Sequence, residues 1–203
     1  MVSGEGTTLD ALATALAEHP HRARIDLVVS DREGARALAV AARHKIPTAV
    51  VQFGASDGVG TAGRLSTAVH RDRIDLVVLA GLRSILPASW LSGWRGRVVN
   101  VHPSLLPRHG GPGLYGRRVY ESVLAGGDRE SGATVHLVTA EVDAGPRLLQ
   151  ERFPVNDGET PETLQIRTQT LERRLLLDAI ERFADGRWRL PYEPSELDAG
   201  PRA

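Results

Sequence analysis

The chain has 203 residues, enough for one domain with a buried core, and its 25 Lys plus Arg are balanced by 25 Asp plus Glu. That balance supplies no bulk field favouring nucleic acid or an anionic membrane. With no cysteine there is neither a disulfide framework nor a thiolate metal site, no apolar run is of bilayer length, and no basic-then-apolar leader pattern opens the chain. The expected setting is the cytoplasm.

The first feature in chain order is "SGEGTTL" (3–9), with Gly4 and Gly6 ahead of Thr7, Thr8 and the amphipathic stretch "TLDALATALAEH" (8–19). Backbone N–H groups at a helix start, with glycines that let an anion approach, form a phosphate site; a flexible turn capped by Thr reads equally well. Such a loop ordinarily follows a buried strand, yet only Met1 and Val2 precede Ser3, so the first strand is expected to be truncated. "RIDLVVS" (24–30), "TAVVQF" (48–53), "IDLVVLA" (74–80) and "RVVNVH" (97–102) are short, Val-rich and nearly continuous in apolar character, as strands covered on both faces are. Between them "REGARALAVAARH" (32–44) and "GRLSTAVHRDR" (63–73) carry apolar residues at helical spacing. This βαβ alternation predicts an α/β fold, a single-domain doubly wound and mostly parallel sheet with helices on both faces.

After residue 103 the rhythm changes. "YGRRVYESVLAGG" (115–127) predicts a helix stopped by glycine, "GATVHLVT" (132–139) and "PRLLQERFPV" (146–155) predict strands, and residues 160–186 predict a long closing helix starting at Thr160 or Pro161. The expected domain spans 1–188, with a phosphate-binding half to about residue 100 and a catalytic half beyond it, and 189–203 reads as a polar tail. Ligands of open parallel sheets sit at strand carboxyl ends, where His102, Thr139 and the first-helix loop are all expected to meet.

Asn100 and His102 stand two apart on a predicted strand, so both side chains point to one side. An Asn amide can donate to an oxygen as it becomes negative, and an imidazole can move a proton near neutral pH. Asp143 in "TAEVDAGP", between a strand and the Gly145–Pro146 turn, is the candidate partner that raises the imidazole pKa and orients it. The trio suits transfer of an acyl-type group to an amine, without a metal. Singly, each has a structural explanation: Asn100 as a strand-end pairing residue, His102 as a satisfied core histidine, Asp143 as a turn residue. His136 reads as core or support.

Together, "NVHPSLLPRHGG" (100–111) and "SGATVHLVTAEVDAGPRLLQERFPV" (131–155) resemble the folate-dependent formyltransferases, and the similarity extends from "SGEGTTL" through "LAGLRSILPASWL" to "FADGRWRL". Within that family the chain is most similar to the branch that formylates glycinamide ribonucleotide in purine biosynthesis. The resemblance implies a Rossmann-like formyltransferase fold and 10-formyltetrahydrofolate as co-substrate, with no nucleic acid or membrane partner and a monomer or homodimer. It implies that Asn100 holds the carbonyl oxygen, that His102 assists proton transfer, and that Asp143 positions His102 and a water. Gly6, Thr7, Thr8, Pro103 and Glu172 would bind the nucleotide substrate, Glu172 through its ribose. Arg64, Arg83, Ser84, Ile85, Leu86, Leu91, Thr139 and Val142 would line the folate site. Without the resemblance Glu172 reads as a solvated helix residue, and Ile85 and Leu86 as core.

The chain departs from the family pattern in its short start, in Glu5 where Asn is common, and in the longer loop "RHGGPGLYGRRVYESVL" (108–124). Arg117 and Arg118 read first as a solvated helix face. Rival readings are formyl transfer to methionyl-tRNA or a sugar nucleotide, hydrolysis of 10-formyltetrahydrofolate, and a folate-binding module without turnover. The hydrolases of the family usually carry a second His where Pro103 stands here.

Overall fold

A computed structural model describes residues 1–18, 23–53, 58–71, 73–189 and 191–192. His19, Asp72 and most of the expected tail (190 and 193–203) lie outside the described residues.

The Val-rich runs become β1 (Val28–Ser30), β2 (Thr48–Val50), β3 (Val77–Leu79) and β4 (Val98–His102), followed by β5 (Glu130–Leu137) and β6 (Arg147–Pro154). β1 and β2 pair in parallel, and a second sheet runs β3-β4-β5-β6, with β3 parallel to β4 and both β5 and β6 antiparallel. The fold is mixed α/β, parallel through its first half. Met1 and Val2 join the two sheets: Val2 bridges Ser30 in parallel, its N–H donates to the Val29 carbonyl at 2.9 Å, and the Ala80 N–H donates to the Met1 carbonyl at 2.9 Å. This two-residue bridge is what the structure shows of the expected first strand. It also accounts for two shortened elements. The runs predicted as strands from residues 24 and 74 begin only at Val28 and Val77, because a partner two residues long sustains no ladder further back.

Helices α1 (Thr7–Glu18), α2 (Arg36–Arg43), α5 (Arg117–Ala125) and α6 (Pro161–Ala184) fall where apolar periodicity places them, while α3 (Gly58–Ala68) begins before the stretch 63–73 read from the sequence and ends within it. The short α4 (Ala88–Ser92) was not expected, because five residues are too few to show a period. It sets Trp90 against Trp94 with ring centroids 5.2 Å apart. α6 starts with a reciprocal cap, Thr160 accepting from the Thr163 N–H while the Thr163 hydroxyl accepts from the Thr160 N–H, and Pro161 occupies the first turn. Among the described residues no helix is long and apolar enough to cross a membrane.

Strand alternation sorts the side chains. Val99 and Val101 of β4, with Ala133, Val135 and Leu137 of β5, pack against Leu171, Leu175, Leu176 and Ala179 of α6. Asn100 and His102 therefore emerge on the other face. Val98 packs there with Leu65, Val77, Trp90 and Trp94. Within the expected polar tail Tyr192 is buried, donates its N–H to the Gly96 carbonyl at 2.9 Å and stands edge-on to Phe183.

Candidate active site

β4 delivers Asn100 and His102 to one face, and the antiparallel register sets His136 of β5 directly opposite Asn100. His136 Nδ1 lies 2.9 Å from the Leu137 carbonyl, so that nitrogen carries the proton, and Nε2 accepts from the Asn100 amide at 3.2 Å. One amide hydrogen of Asn100 is thereby fixed, and the other remains to donate. The supporting role read for His136 is to aim this amide.

His102 is buried. Its Nε2 sits 2.8 Å from the His109 carbonyl and must donate to it, while Nδ1 faces Asp143 Oδ2 at 3.4 Å. With one proton, the ring leaves a lone pair toward a carboxylate. With two, both nitrogens have acceptors. Asp143 is thus placed to stabilise the imidazolium. The sequence-based expectation of a raised pKa is corrected: burial is the largest influence on His102 and holds it below the usual histidine range, with Asp143 and the His109 carbonyl opposing it. Burial alone would raise the Asp143 carboxyl. The His136 imidazole 3.5 Å away, the charge of His102 and the Gly111 N–H at 3.0 Å outweigh it and keep the carboxyl below its usual range.

Asp143 takes a positive φ of 56°, which Asp tolerates better than most residues. The turn behind it depends on Gly145, where a Cβ would lie 1.9 Å from the Leu137 carbonyl oxygen. This turn also corrects the strand-end expectation for Thr139. Because β5 is antiparallel, its carboxyl end lies beside Val98, with the Val138 N–H donating to the Val98 carbonyl at 2.8 Å. Thr139 therefore leaves the sheet at the opposite end of β4 from His102, and the 139–146 turn folds back to return Asp143.

A cluster that the sequence reading passed over holds the other side of His102. His109, at φ 55°, places Nδ1 2.8 Å from the Ser122 hydroxyl on α5 and Nε2 2.5 Å from Asp128, which also pairs with Arg108. The imidazole thus anchors the backbone carbonyl that orients His102. The only sequence signal was a histidine beside Gly110 and Gly111, which spacing alone does not connect to Ser122 or Asp128. Replacing His109 with Ala is expected to lower kcat about tenfold with KM nearly unchanged. A kinetic comparison at fixed pH checks it, and an unaltered kcat would remove His109 from this role.

The remaining predicted residues fall into three groups. Around the first loop, Gly6 has φ 79° and a Cβ there would meet the Ala37 Cα at 2.7 Å, so only glycine lets α1 begin at Thr7 and leave the N–H groups of Thr7 and Thr8 unhindered. Glu5 points away, paired with Arg36 at 2.9 Å. The second group ties to that loop: Ser3 donates to Asp31 and accepts from the Arg83 N–H, and Ser84 donates to the same carboxylate, each at 2.7 Å. In the third, Leu86 and Leu91 are buried with Trp90 and Trp94 while Ile85 is exposed. Arg64 donates to the Gln52 carbonyl at 3.0 Å and Thr139 to the Glu141 carbonyl at 3.1 Å, while Pro103 and Val142 are half-buried. The structure does not bring Glu172 to the Asn100 cluster, since α6 packs on the opposite face and Glu172 lies near Tyr120. Burial pushes its carboxyl up to about 8, with Arg173 opposing. Arg117 pairs with Glu121 and Glu162, and Arg118 lies over the Tyr115 ring.

The formyl transferase family model matches residues 1–180. The chain belongs to the formyl transferase family. It is 35% identical to the phosphoribosylglycinamide formyltransferase of Escherichia coli K12, over 98% of this chain and 92% of that one. It is 36% identical to the trifunctional purine biosynthetic protein adenosine-3 of Gallus gallus over 92% of this chain, and spans 18% of that protein's length. The crystal structure of phosphoribosylglycinamide formyltransferase from Anaplasma phagocytophilum superposes with TM-score 0.82 at 33% identity, covering 93% of this chain and 87% of that one. A formyltetrahydrofolate deformylase from Pseudomonas syringae gives TM-score 0.82 at 26% identity, with 94% and 61% covered. In this formyl transferase, the arrangement of an aimed amide, a buried imidazole and a carboxylate behind it can stabilise a tetrahedral adduct and hold a proton beside it.

Proposed function

We propose that the protein transfers the formyl group of 10-formyltetrahydrofolate to the amine of glycinamide ribonucleotide, a step of purine biosynthesis. The observation that carries this reading is the cluster of Asn100, His102 and Asp143, backed by likeness to the Escherichia coli enzyme over nearly both whole chains. In the reaction the acceptor nitrogen bonds to the formyl carbon, the bond from that carbon to the folate N10 breaks, the acceptor amine loses a proton and N10 gains one. Asn100 donates its free amide hydrogen to the oxygen as it becomes negative. His102 takes up the proton on Nδ1, and Asp143 stabilises the imidazolium that results. Holding amine and formyl carbon in contact supplies roughly 7–11 kcal/mol of the barrier reduction.

The first-turn N–H groups of Thr7 and Thr8 supply the nucleotide phosphate site, and Arg83 and Ser84 brace that loop through Ser3 and Asp31. The folate is expected against Ile85, Leu86, Leu91, Arg64 and the Thr139–Val142 turn. Glu172 is assigned to the ribose on the family resemblance alone, as a half-buried carboxyl of α6 away from the Asn100 cluster. Glu172→Gln is expected to raise KM for the nucleotide about tenfold or more with kcat held within roughly twofold. The same variant carries a stability signature. The parent carboxyl stays neutral in the folded state up to about 8 but ionises at 4.5 when unfolded, so the parent loses stability across that window and the Gln form does not. Its Tm advantage should grow as pH rises from 4.5 to about 8.

The test is to follow deformylated folate by absorbance with 10-formyltetrahydrofolate and glycinamide ribonucleotide, beside a reaction without the nucleotide. Nucleotide-dependent release supports the transferase. Likeness to the Pseudomonas syringae deformylase favours hydrolysis as the second reading, and release without nucleotide would establish it. No release in either would leave a folate-binding role.

A further inference from the structure

Asp31 is a buried carboxylate that the reaction steps above do not use. It is the first residue after β1, and the turn that holds it is pinned locally: the Ser30 hydroxyl donates to the Arg32 carbonyl at 2.7 Å and accepts from the Arg32 N–H at 3.2 Å. One carboxylate oxygen, Oδ2, accepts from two hydroxyls that come from distant parts of the chain, Ser3 and Ser84, each at 2.7 Å. The other, Oδ1, accepts from the exposed Arg32 side chain at 3.1 Å. Ser3 Oγ in turn accepts from the Arg83 N–H at 2.7 Å, which closes a ring of hydrogen bonds from Ser3 through Asp31 and Ser84 back to residue 83.

Donor counting fixes what each hydroxyl can do. A serine has one O–H hydrogen, and Ser3 and Ser84 both direct theirs at Asp31. Ser84 therefore has none left to donate to a ligand, and its effect on the segment 83–86 runs through the carboxylate. That effect is to sort the segment: Ser84 is half-buried against Asp31, Ile85 beside it is exposed, and Leu86 is buried with Trp90. Ser3, across the ring, opens the loop to Gly6 and α1. The loop's other braces are the Gly4 carbonyl, which accepts from the Ala37 N–H at 3.0 Å, and the exposed pair of Glu5 with Arg36. Burial alone would raise the Asp31 carboxyl. Hydrogen bonds from Arg32, Ser84 and Ser3 outweigh it and hold the carboxyl below its usual range, so an ionised acceptor faces both serines at neutral pH. Hydrogen bonds to a charged acceptor are the stronger kind, and displacing either segment loosens the anchor of the other.

We infer that Asp31 is a positioning residue shared by both substrates: it links the loop that receives the nucleotide phosphate to the segment set against the folate, so that each substrate tightens the binding of the other. The inference rests on the substrate assignment proposed above. A phosphate on the Thr7 and Thr8 N–H groups orders the loop and Ser3 with it. Ser3 and Asp31 then hold the Arg83 backbone and Ser84 before the folate arrives. The ordering that both substrates require is done once, and the second to bind meets a segment already fixed. By linkage the factor is the same in either order of addition.

The test measures the nucleotide Kd by equilibrium titration, with and without a saturating folate analogue that carries no formyl group. In the parent protein the analogue should tighten the nucleotide about fivefold or more. Asp31→Ala should bring that factor below about twofold, while Asp31→Asn, whose side-chain carbonyl still accepts from both serines, should keep it. Ser84→Ala removes one of the two hydroxyls and should also lose the cooperativity, whereas Ser84→Thr should retain it. This second pair decides the matter if Asp31→Ala does not fold. A residue that merely stabilised the fold would shift Tm in these variants and leave the factor unchanged. Cooperativity that survives in either alanine variant that still folds, or that is absent from a parent binding both ligands, would overturn the inference. A parent that binds neither ligand would overturn the substrate assignment, and the inference with it.

Discussion

Replacing His102 with Ala is expected to lower kcat for formyl transfer about 1000-fold while the protein still melts cooperatively. The fold survives because the turn at residues 104–108 is pinned without the imidazole: Ser104 donates to the Arg108 carbonyl at 2.6 Å, and Thr134 donates to the Ser104 carbonyl at 2.7 Å and accepts from the Leu106 N–H. The activity does not, because the other imidazole beside Asn100 and Asp143, that of His136, is engaged by the Asn100 amide and the Leu137 carbonyl. Asp143→Asn should fall by a comparable factor, and the double variant by little more than either single one, since the two residues hold one proton between them. Steady-state rates of the three variants settle the point, and losses that multiply would mean that the residues act separately. The pH profile gives a second reading. Asp143 is the main influence holding His102 up against burial, so Asp143→Asn should move the acidic limb of kcat/KM to lower pH.

What the sequence disclosed about the site depended on local spacing. Strand alternation put Asn100 and His102 on one side and a local turn marked Asp143, but singly each had a structural explanation, and the resemblance joined them into one site. The partners that tune them were not legible. His136 aims Asn100 through an antiparallel register, and His109 reaches Ser122 and Asp128 across thirteen and nineteen positions. Thr139 shows the same limit from the other side: the run "GATVHLVT" reveals a strand but not its direction, and direction decides which end of the sheet receives the turn. The opposing pull on His102 was likewise half visible, since the carboxylate can be read from sequence and the depth of burial cannot. For the fold, periodicity placed five helices and six strands, while β1 and β3 came out short because strand length is set by the neighbour as much as by the run itself.

The amine of Met1 gives that neighbour effect a measurable charge. It donates to the Val78 carbonyl at 2.6 Å in a half-buried residue, and burial lowers its pKa from 8.0 to about 5. In the unfolded chain the group is protonated below 8.0, whereas in the folded chain it is neutral down to about 5. The unfolded state therefore binds more protons between these values, and stability is fully present above pH 8 and lost as pH falls through the window. Glu172 acts in the opposite sense, so the total curve is flatter than either group alone would give. Acetylating the Met1 amine separates them. The amide keeps an N–H for the Val78 carbonyl and cannot titrate, while Glu172 contributes equally to both forms. Urea unfolding of the free and acetylated proteins at about pH 8 and about pH 5 should show their stability difference widening in favour of the acetylated form at the lower pH. A difference independent of pH would mean that the amine is hydrated where it meets the Val78 carbonyl.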